Sequence, residues 1–241
     1  MFSTTKNGST TLLIADTFEN SITVNTFDPN YLEHNHLVID RKRGRATTYF
    51  FKLMSQTAVL RHYWRGGLIG KLLSDQYLYL GLKHTRTVKE FTLLTQLANL
   101  NLPVPEAIAA KVVRSGLIYR GDIITKALPL ANSVLDILKK RKLSEKEIIH
   151  VGETIAQFHI AGVNHADLNI NNILFSEEKV FLIDFDRGTK GSFDSKVNKN
   201  NMQRLARSFE KERKRNTLFH WLDADWQLLE KSYKQAIEKR L

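Results

Sequence analysis

Two rhythms run along this chain. Thr47-Thr48-Tyr49-Phe50-Phe51 and Thr57-Ala58-Val59-Leu60 are β-branched and aromatic runs flanking Ser55-Gln56, which predicts a hairpin. Between 85 and 99 the spacing changes: Val88, Phe91, Leu94, Thr95 and Ala98 recur every three or four residues and predict an amphipathic helix, ended by Pro103 and Pro105. Ala107 to Val113 and Leu117 to Ala127 read as a second hairpin, its later run interrupted by Gly121-Asp122. A short helix follows from Ser133. A longer one spans 145–161, opened by a capping box of Ser144 and Glu147 and stopped by Gly162. Ile173-Leu174-Phe175 and Val180 to Ile183 form a small hairpin. Beyond it Met202, Leu205, Ala206 and Phe209 make one helical stripe, and Trp226, Leu229, Tyr233 and Ile237 another. Residues 1–40 are polar with scattered apolar positions and receive no element. Strands first and helices afterwards predict an α+β fold.

The small hairpin is flanked by the residues that carry chemistry. His165-Ala166-Asp167-Leu168-Asn169-Ile170-Asn171-Asn172 leads into it, and Asp184-Phe185-Asp186 ends it. Phosphoryl transfer needs a carboxylate at the attacking hydroxyl and oxygen ligands that hold Mg²⁺ on the phosphates. One acid before a hairpin, an amide at its start and a second acid at its end bring those parts together. The spacing from Asp167 to Asn172 matches the kinase catalytic loop H-R-D-L-x-x-x-N, with Ala166 in place of arginine, and Asp184-Phe185-Asp186 matches D-F-G, with Asp186 in place of glycine.

On these segments, together with Leu60-Arg61-His62-Tyr63-Trp64-Arg65-Gly66-Gly67-Leu68, the chain resembles the lipopolysaccharide kinases of Gram-negative bacteria, which have a protein-kinase-like fold. The resemblance runs from about Gly44 onward. It implies two lobes: residues 1–126, a small antiparallel sheet with one αC-like helix, and 127–241, a reduced helical lobe carrying the catalytic hairpin. It implies that Asp167 accepts or orients the hydroxyl proton, that Asn172 and Asp184 hold Mg²⁺, and that Glu90 pairs with Arg61, where most kinases have lysine. Gly44 is the glycine-loop candidate, and Thr125-Lys126-Ala127-Leu128 the hinge, with Lys126 and Leu128 beside adenine. ATP is the implied donor. The implied acceptor is 3-deoxy-D-manno-octulosonic acid (Kdo) joined to lipid A, phosphorylated at its 4-hydroxyl. No A-P-E motif follows Asp184 and fewer than about sixty residues remain, which argues against a peptide acceptor.

Composition narrows the setting. Lys and Arg number 36 against 25 Asp and Glu, a formal charge of +11 that suits phosphates and anionic lipid heads. There is no cysteine, which excludes disulfides, Cys-ligated zinc and thiol catalysis. The segment Met1 to Gly8 has no apolar h-region, so no signal peptide is expected, and no run reaches the about 18 apolar residues of a span. The expected location is peripheral, on the cytoplasmic side of the inner membrane, with no nucleic-acid partner because no recognition motif accompanies the charge.

Several readings stay open on the residues alone. His165 either orients the loop or moves a proton, and Asp186 is either a metal ligand or a surface acid. Glu90 could face solvent. The stretch from Arg61 to Lys71 is a lipid-docking segment or a helix over the core, and the run Lys211 to Arg215 a solvated face or an acceptor site. The competing functions are a kinase for another small acceptor, such as a core heptose or an aminoglycoside- or choline-like compound, and a non-catalytic nucleotide-binding pseudokinase.

Overall fold

A computed structural model describes residues 1–43, 47–65 and 75–240. Gly44 and most of the stretch weighed above as lipid-docking or core-covering lie outside the described residues. The chain divides into two compact units, one formed by 1–95 with 105–127, the other by 96–104 with the chain from Leu128 onward. The stretch 96–104, assigned from sequence to the N-terminal lobe, clusters with the second unit, because Leu182 N donates to the Pro103 carbonyl at 3.1 Å.

The first unit is built on one antiparallel sheet. In chain order its elements are β1 (Phe2–Asn7), β2 (Thr10–Ala15), α1 (Pro29–His34), β3 (Val38–Arg43), β4 (Thr47–Leu53), β5 (Gln56–His62), β6 (Tyr77–Leu78), α2 (Arg86–Asn99, of which 96–99 cluster with the second unit), β7 (Ala107–Ser115) and β8 (Ile118–Lys126). The strands lie in the order β1-β2-β7-β8-β5-β4-β3, with β6 also on β8. The sheet is therefore larger than the small one expected. The added strands β1, β2 and β3 come from residues 1–43, where sequence predicted nothing. β1 is exposed along nearly all its length and so lacks an alternating pattern. The following segment packs Phe18, Ile22, Phe27 and Leu32 against Phe51, Leu53, Ala58, Leu60, Ile108 and Ile124 on one face of the sheet.

Two local expectations shift. The β4–β5 hairpin turns at Met54-Ser55, one residue earlier than expected: Leu53 pairs with Gln56, and Met54 takes the positive φ (55°) that a two-residue hairpin loop needs. Gly121 does not interrupt β8. The strand runs through it, and the glycine marks a close approach, since a Cβ there would stand 1.9 Å from Thr87 Oγ1 on α2.

The second unit contains β9 (Asn132–Ser133), α3 (Val134–Leu138), α4 (Glu145–Ile160), β10 (Val163–Asn164), β11 (Ile173–Ser176), β12 (Lys179–Leu182), β13 (Thr189–Lys190), α5 (Ser195–Arg215) and α6 (Asp223–Glu238). Ser144 caps α4 reciprocally with Glu147, as the sequence predicts. Glu147 is held to about pH 2 by Arg141, whose guanidinium forms a fork at 2.7 and 2.9 Å, and by the Ser144 amide and hydroxyl. α4 and α6 pack closely at Gly152, where a Cβ would lie 2.6 Å from the Leu229 carbonyl oxygen. Met202, Leu205 and Phe209 form the buried stripe of α5, with Phe209 stacked on Trp221 at 4.1 Å. Among the described residues no helix is long and apolar enough to cross a membrane.

Candidate active site

The second unit carries the acidic chemistry. β11 and β12 pair Ile173 with Leu182, and one step beyond, Ile183 N donates to the Asn172 carbonyl at 3.0 Å. That bond sets Asn172 beside the residue preceding Asp184. From the other side Asn172 Nδ2 donates to the Asp167 carbonyl at 3.0 Å. A carbonyl oxygen only accepts, so this contact fixes the amide with its nitrogen inward and leaves Oδ1 for another partner. Asn172 is thus tied to Asp167 through its amide and, through its backbone, to Ile183, the residue before Asp184.

The loop before the hairpin is tightly pinned. Ala166 N donates to Asn164 Oδ1 at 3.0 Å, and Asp167 N donates to the His165 carbonyl at 2.7 Å. The second bond closes a three-residue turn around Ala166, whose φ is +59°. Asn169 Nδ2 donates to the Asp167 carbonyl, Asn171 N donates to Asn169 Oδ1, and Asn172 N donates to the Asn169 carbonyl, each at 2.9 Å. Asp184 also has a positive φ, +65°. Such conformations cost a non-glycine residue of order 1–3 kcal/mol and persist only where the surroundings impose them. One lies at Asp184 and the other immediately before Asp167.

His165 has an orienting geometry. Its Nε2 lies 2.9 Å from the Ile183 carbonyl, so that nitrogen carries the proton, and its ring contacts Phe185 at 4.5 Å. Phe185 is fully buried and stacks on Phe158 at 5.8 Å. Burial pushes the His165 pKa down, although the Ile183 carbonyl and the Asp184 and Asp167 charges pull the other way. The ring is therefore a neutral strut between the loop at Asp167 and the segment of Asp184. Its Nδ1 is buried with no hydrogen-bond partner among the described residues.

In the first unit Arg61 Nη2 donates to Glu90 Oε1 at 2.5 Å. Tyr63 OH donates to Glu90 Oε2 in a very short contact. Glu90 is 2% exposed, so it does not lie on a solvated face. Arg61 and Tyr63 are two residues apart on one run, so their side chains project to the same side. Sequence reading gave Tyr63 no role, although that two-residue spacing was available. His62 points the opposite way. Its Nδ1 lies 2.6 Å from Asp122 Oδ1, its Nε2 lies 3.4 Å from Asp75, and Asp122 in turn bonds Lys111 at 3.0 Å. Burial lowers the His62 pKa, but Asp122 and Asp75 together outweigh it and the net shift is upward. Lys126 closes β8, half-exposed and 4.0 Å from Glu106, and Leu128 is the first residue of the longer segment of the second unit.

Among the described residues no group of three His, Asp or Glu could hold a metal by itself. Asn172 and Asp184, the residues assigned to Mg²⁺ from sequence, offer an amide oxygen and a carboxylate. Such a pair suits Mg²⁺, which keeps waters and substrate phosphate oxygens for its other positions.

A pinned acid loop before a hairpin with a buried phenylalanine after Asp184, in the second unit, and an ion pair of Arg61 with the buried Glu90, in the first, are parts that a phosphotransferase of the protein-kinase-like class carries. The solved structure titled "WaaP in complex with acyl carrier protein" has this fold: it superposes with a TM-score of 0.59, covering 93% of this chain and 88% of that one at 13% identity. A sequence model of the Lipopolysaccharide kinase (Kdo/WaaP) family matches residues 30–233, and the chain belongs to that family. Its relatives include proteins named 3-deoxy-D-manno-octulosonic acid kinase. The one from Vibrio parahaemolyticus is 43% identical, covering 84% of this chain and 85% of its own length. That from Vibrio cholerae is 41% identical over 77% and 79%, and that from Haemophilus influenzae (strain 86-028NP) 37% identical over 87% and 90%.

Proposed function

We propose that this chain is a sugar kinase that transfers the γ-phosphate of ATP to a hydroxyl of Kdo in lipopolysaccharide core biosynthesis. The observation that carries the reading is the Asp167–Asn172–Asp184 arrangement, held by the Asn172 contacts at 3.0 Å to the Asp167 carbonyl and to Ile183 N. Family membership and the names of relatives support the acceptor.

Asp167 would take or orient the proton of the attacking hydroxyl. Its side chain is 59% exposed, so a substrate can reach it. Asn172 Oδ1 and the Asp184 carboxylate would hold Mg²⁺. When bound, that ion would offset charge on the phosphate oxygens. Arg61, fixed by Glu90, would present its guanidinium to the nucleotide phosphates as a planar fork in place of a lysine point charge. His165 would keep the loop in register without moving protons.

The finer assignment is the 4-hydroxyl of Kdo attached to lipid A, phosphorylated at the cytoplasmic face of the inner membrane. The net charge of +11 supports contact with an anionic glycolipid. Purified protein incubated with Mg-ATP and Kdo-lipid A tests both levels. Mass spectrometry should find one added phosphate, and fragmentation should put it on Kdo at O4. Transfer to a core heptose instead, with none to Kdo, would overturn the acceptor assignment while leaving the kinase reading intact.

A further inference from the structure

Helix α5 lies along the catalytic loop and is tied to it at two points. Asn201 Nδ2 donates at 3.1 Å to Asn164 Oδ1, the same oxygen that accepts from Ala166 N. Two helical turns later, Ser208 Oγ accepts from Ile170 N at 3.2 Å and donates to the Leu205 carbonyl at 2.7 Å. Arg204 lies between these ties on the same face. Its Nη1 stands 3.9 Å from Asp167 Oδ1, and the two side chains are 49% and 59% exposed.

At that distance the contact is an ion pair and not a hydrogen bond, and an exposed pair of this kind adds little to stability. Its chemical consequence is larger. A sugar acid whose hydroxyl reaches Asp167 brings a second carboxylate toward the first. In the Kdo ring the carboxyl group sits on the anomeric carbon and O4 only two ring carbons away, within reach of one guanidinium. Arg204 has five N–H donors in a fixed fork, enough to face Asp167 with one edge and a substrate carboxylate with another. Arg213 and Arg215, further along α5, are engaged by Glu210, Asp223 and Glu212, whereas Arg204 has only the substrate-accessible Asp167 beside it among the described residues.

We propose that Arg204 binds the carboxylate of the acceptor and so presents its hydroxyl to Asp167, making Arg204 a specificity-determining residue of the kinase. The inference rests on the Kdo assignment above. The test is a substrate-by-variant cycle: wild type, Arg204→Gln, Arg204→Lys and the control Lys199→Gln, each assayed on Kdo-lipid A and on its Kdo methyl ester. Losing a hydrogen-bonded charge pair corresponds to roughly ten- to hundredfold. Arg204→Gln should raise the KM for Kdo-lipid A by at least about tenfold, with the KM for ATP within about twofold. Arg204→Lys should recover part of the loss, and Lys199→Gln should match wild type. Wild type should lose a similar factor on the ester, and Arg204→Gln should lose nothing further there. Losses that multiply would overturn the proposal, as would an equal fall in kcat on both substrates with KM unchanged, which would mean that Arg204 acts through Asp167. Wild type that binds ATP yet phosphorylates neither glycolipid would instead overturn the acceptor reading, and this inference with it.

Discussion

Gly121→Ala should damage the site from a distance. Gly121 faces the first turn of α2, where an added Cβ would meet Thr87 Oγ1 at 1.9 Å, its Cβ at 3.1 Å and its Cγ2 at 3.5 Å. Rotating Thr87 removes the first clash and leaves the second, so the helix must retreat. Thr87 is fully buried and lies one helical turn before Glu90. Arg61 pairs across the sheet with Ile123, two residues from Gly121, so a retreat of α2 loosens the Glu90–Arg61 contact. Overpacking of this kind costs about 1–3 kcal/mol. In a chain of this size that is a fall in Tm of about 2–12 °C, and the KM for ATP should rise as well. Thr87 Oγ1 is buried without a partner among the described residues, so Thr87→Ala alone should be near neutral. Combined with Gly121→Ala it removes the 1.9 Å overlap and leaves the 3.1 Å approach of the residue 87 Cβ, so it should recover part of the loss, a coupling of about 1 kcal/mol. Thermal melts and ATP kinetics on the four proteins provide the measurement. A Gly121→Ala protein melting within about a degree of wild type, or a double variant with simply additive losses, would refute the steric argument.

Glu90→Gln keeps the shape and removes the charge that holds Arg61, so the KM for ATP should rise by about tenfold or more while the acceptor KM stays within about twofold; unchanged ATP kinetics would count against the pair's role. Stability should peak near the ordinary histidine pKa of 6.5. His159, pushed down to about 4 by burial, and His165, also lowered by burial, let the unfolded chain bind protons first, so stability falls as pH drops from 6.5 toward 4. His62 is shifted the other way, so its contribution is complete below 6.5 and is lost as pH rises through its raised folded value. Denaturant titrations from pH 4 to 9 should show both flanks, with His62→Gln flattening only the alkaline one; an unchanged alkaline slope in that variant would contradict the Asp122–His62–Asp75 assignment.

What sequence revealed and what it hid follow from the range of the interactions. The capping box of Ser144 and Glu147 and the helix at 86–99 rest on neighbours within four residues, so periodicity exposes them. The hairpin and its flanking acids were legible as a motif because Asp167, Asn172 and Asp184 fall at recognisable intervals within eighteen residues. Gly121 was misread because its cause, Thr87, lies on another element. β1 was missed because its pairing with β2 rests on backbone hydrogen bonds, with its side chains mostly in water. Arg204 carries no local signal: it approaches Asp167 only because Asn201 and Ser208 fasten α5 to the loop.

The account stands most directly on what happens when Asp167 loses its charge. In single-turnover assays with γ-labelled ATP, Mg²⁺ and Kdo-lipid A, the wild type should move label onto the glycolipid. Asp167→Asn should bind ATP within about threefold of wild type and transfer at least about a hundredfold more slowly, the usual share of a general base. Transfer by Asp167→Asn within about tenfold of wild type would contradict the claim that this carboxylate handles the acceptor proton.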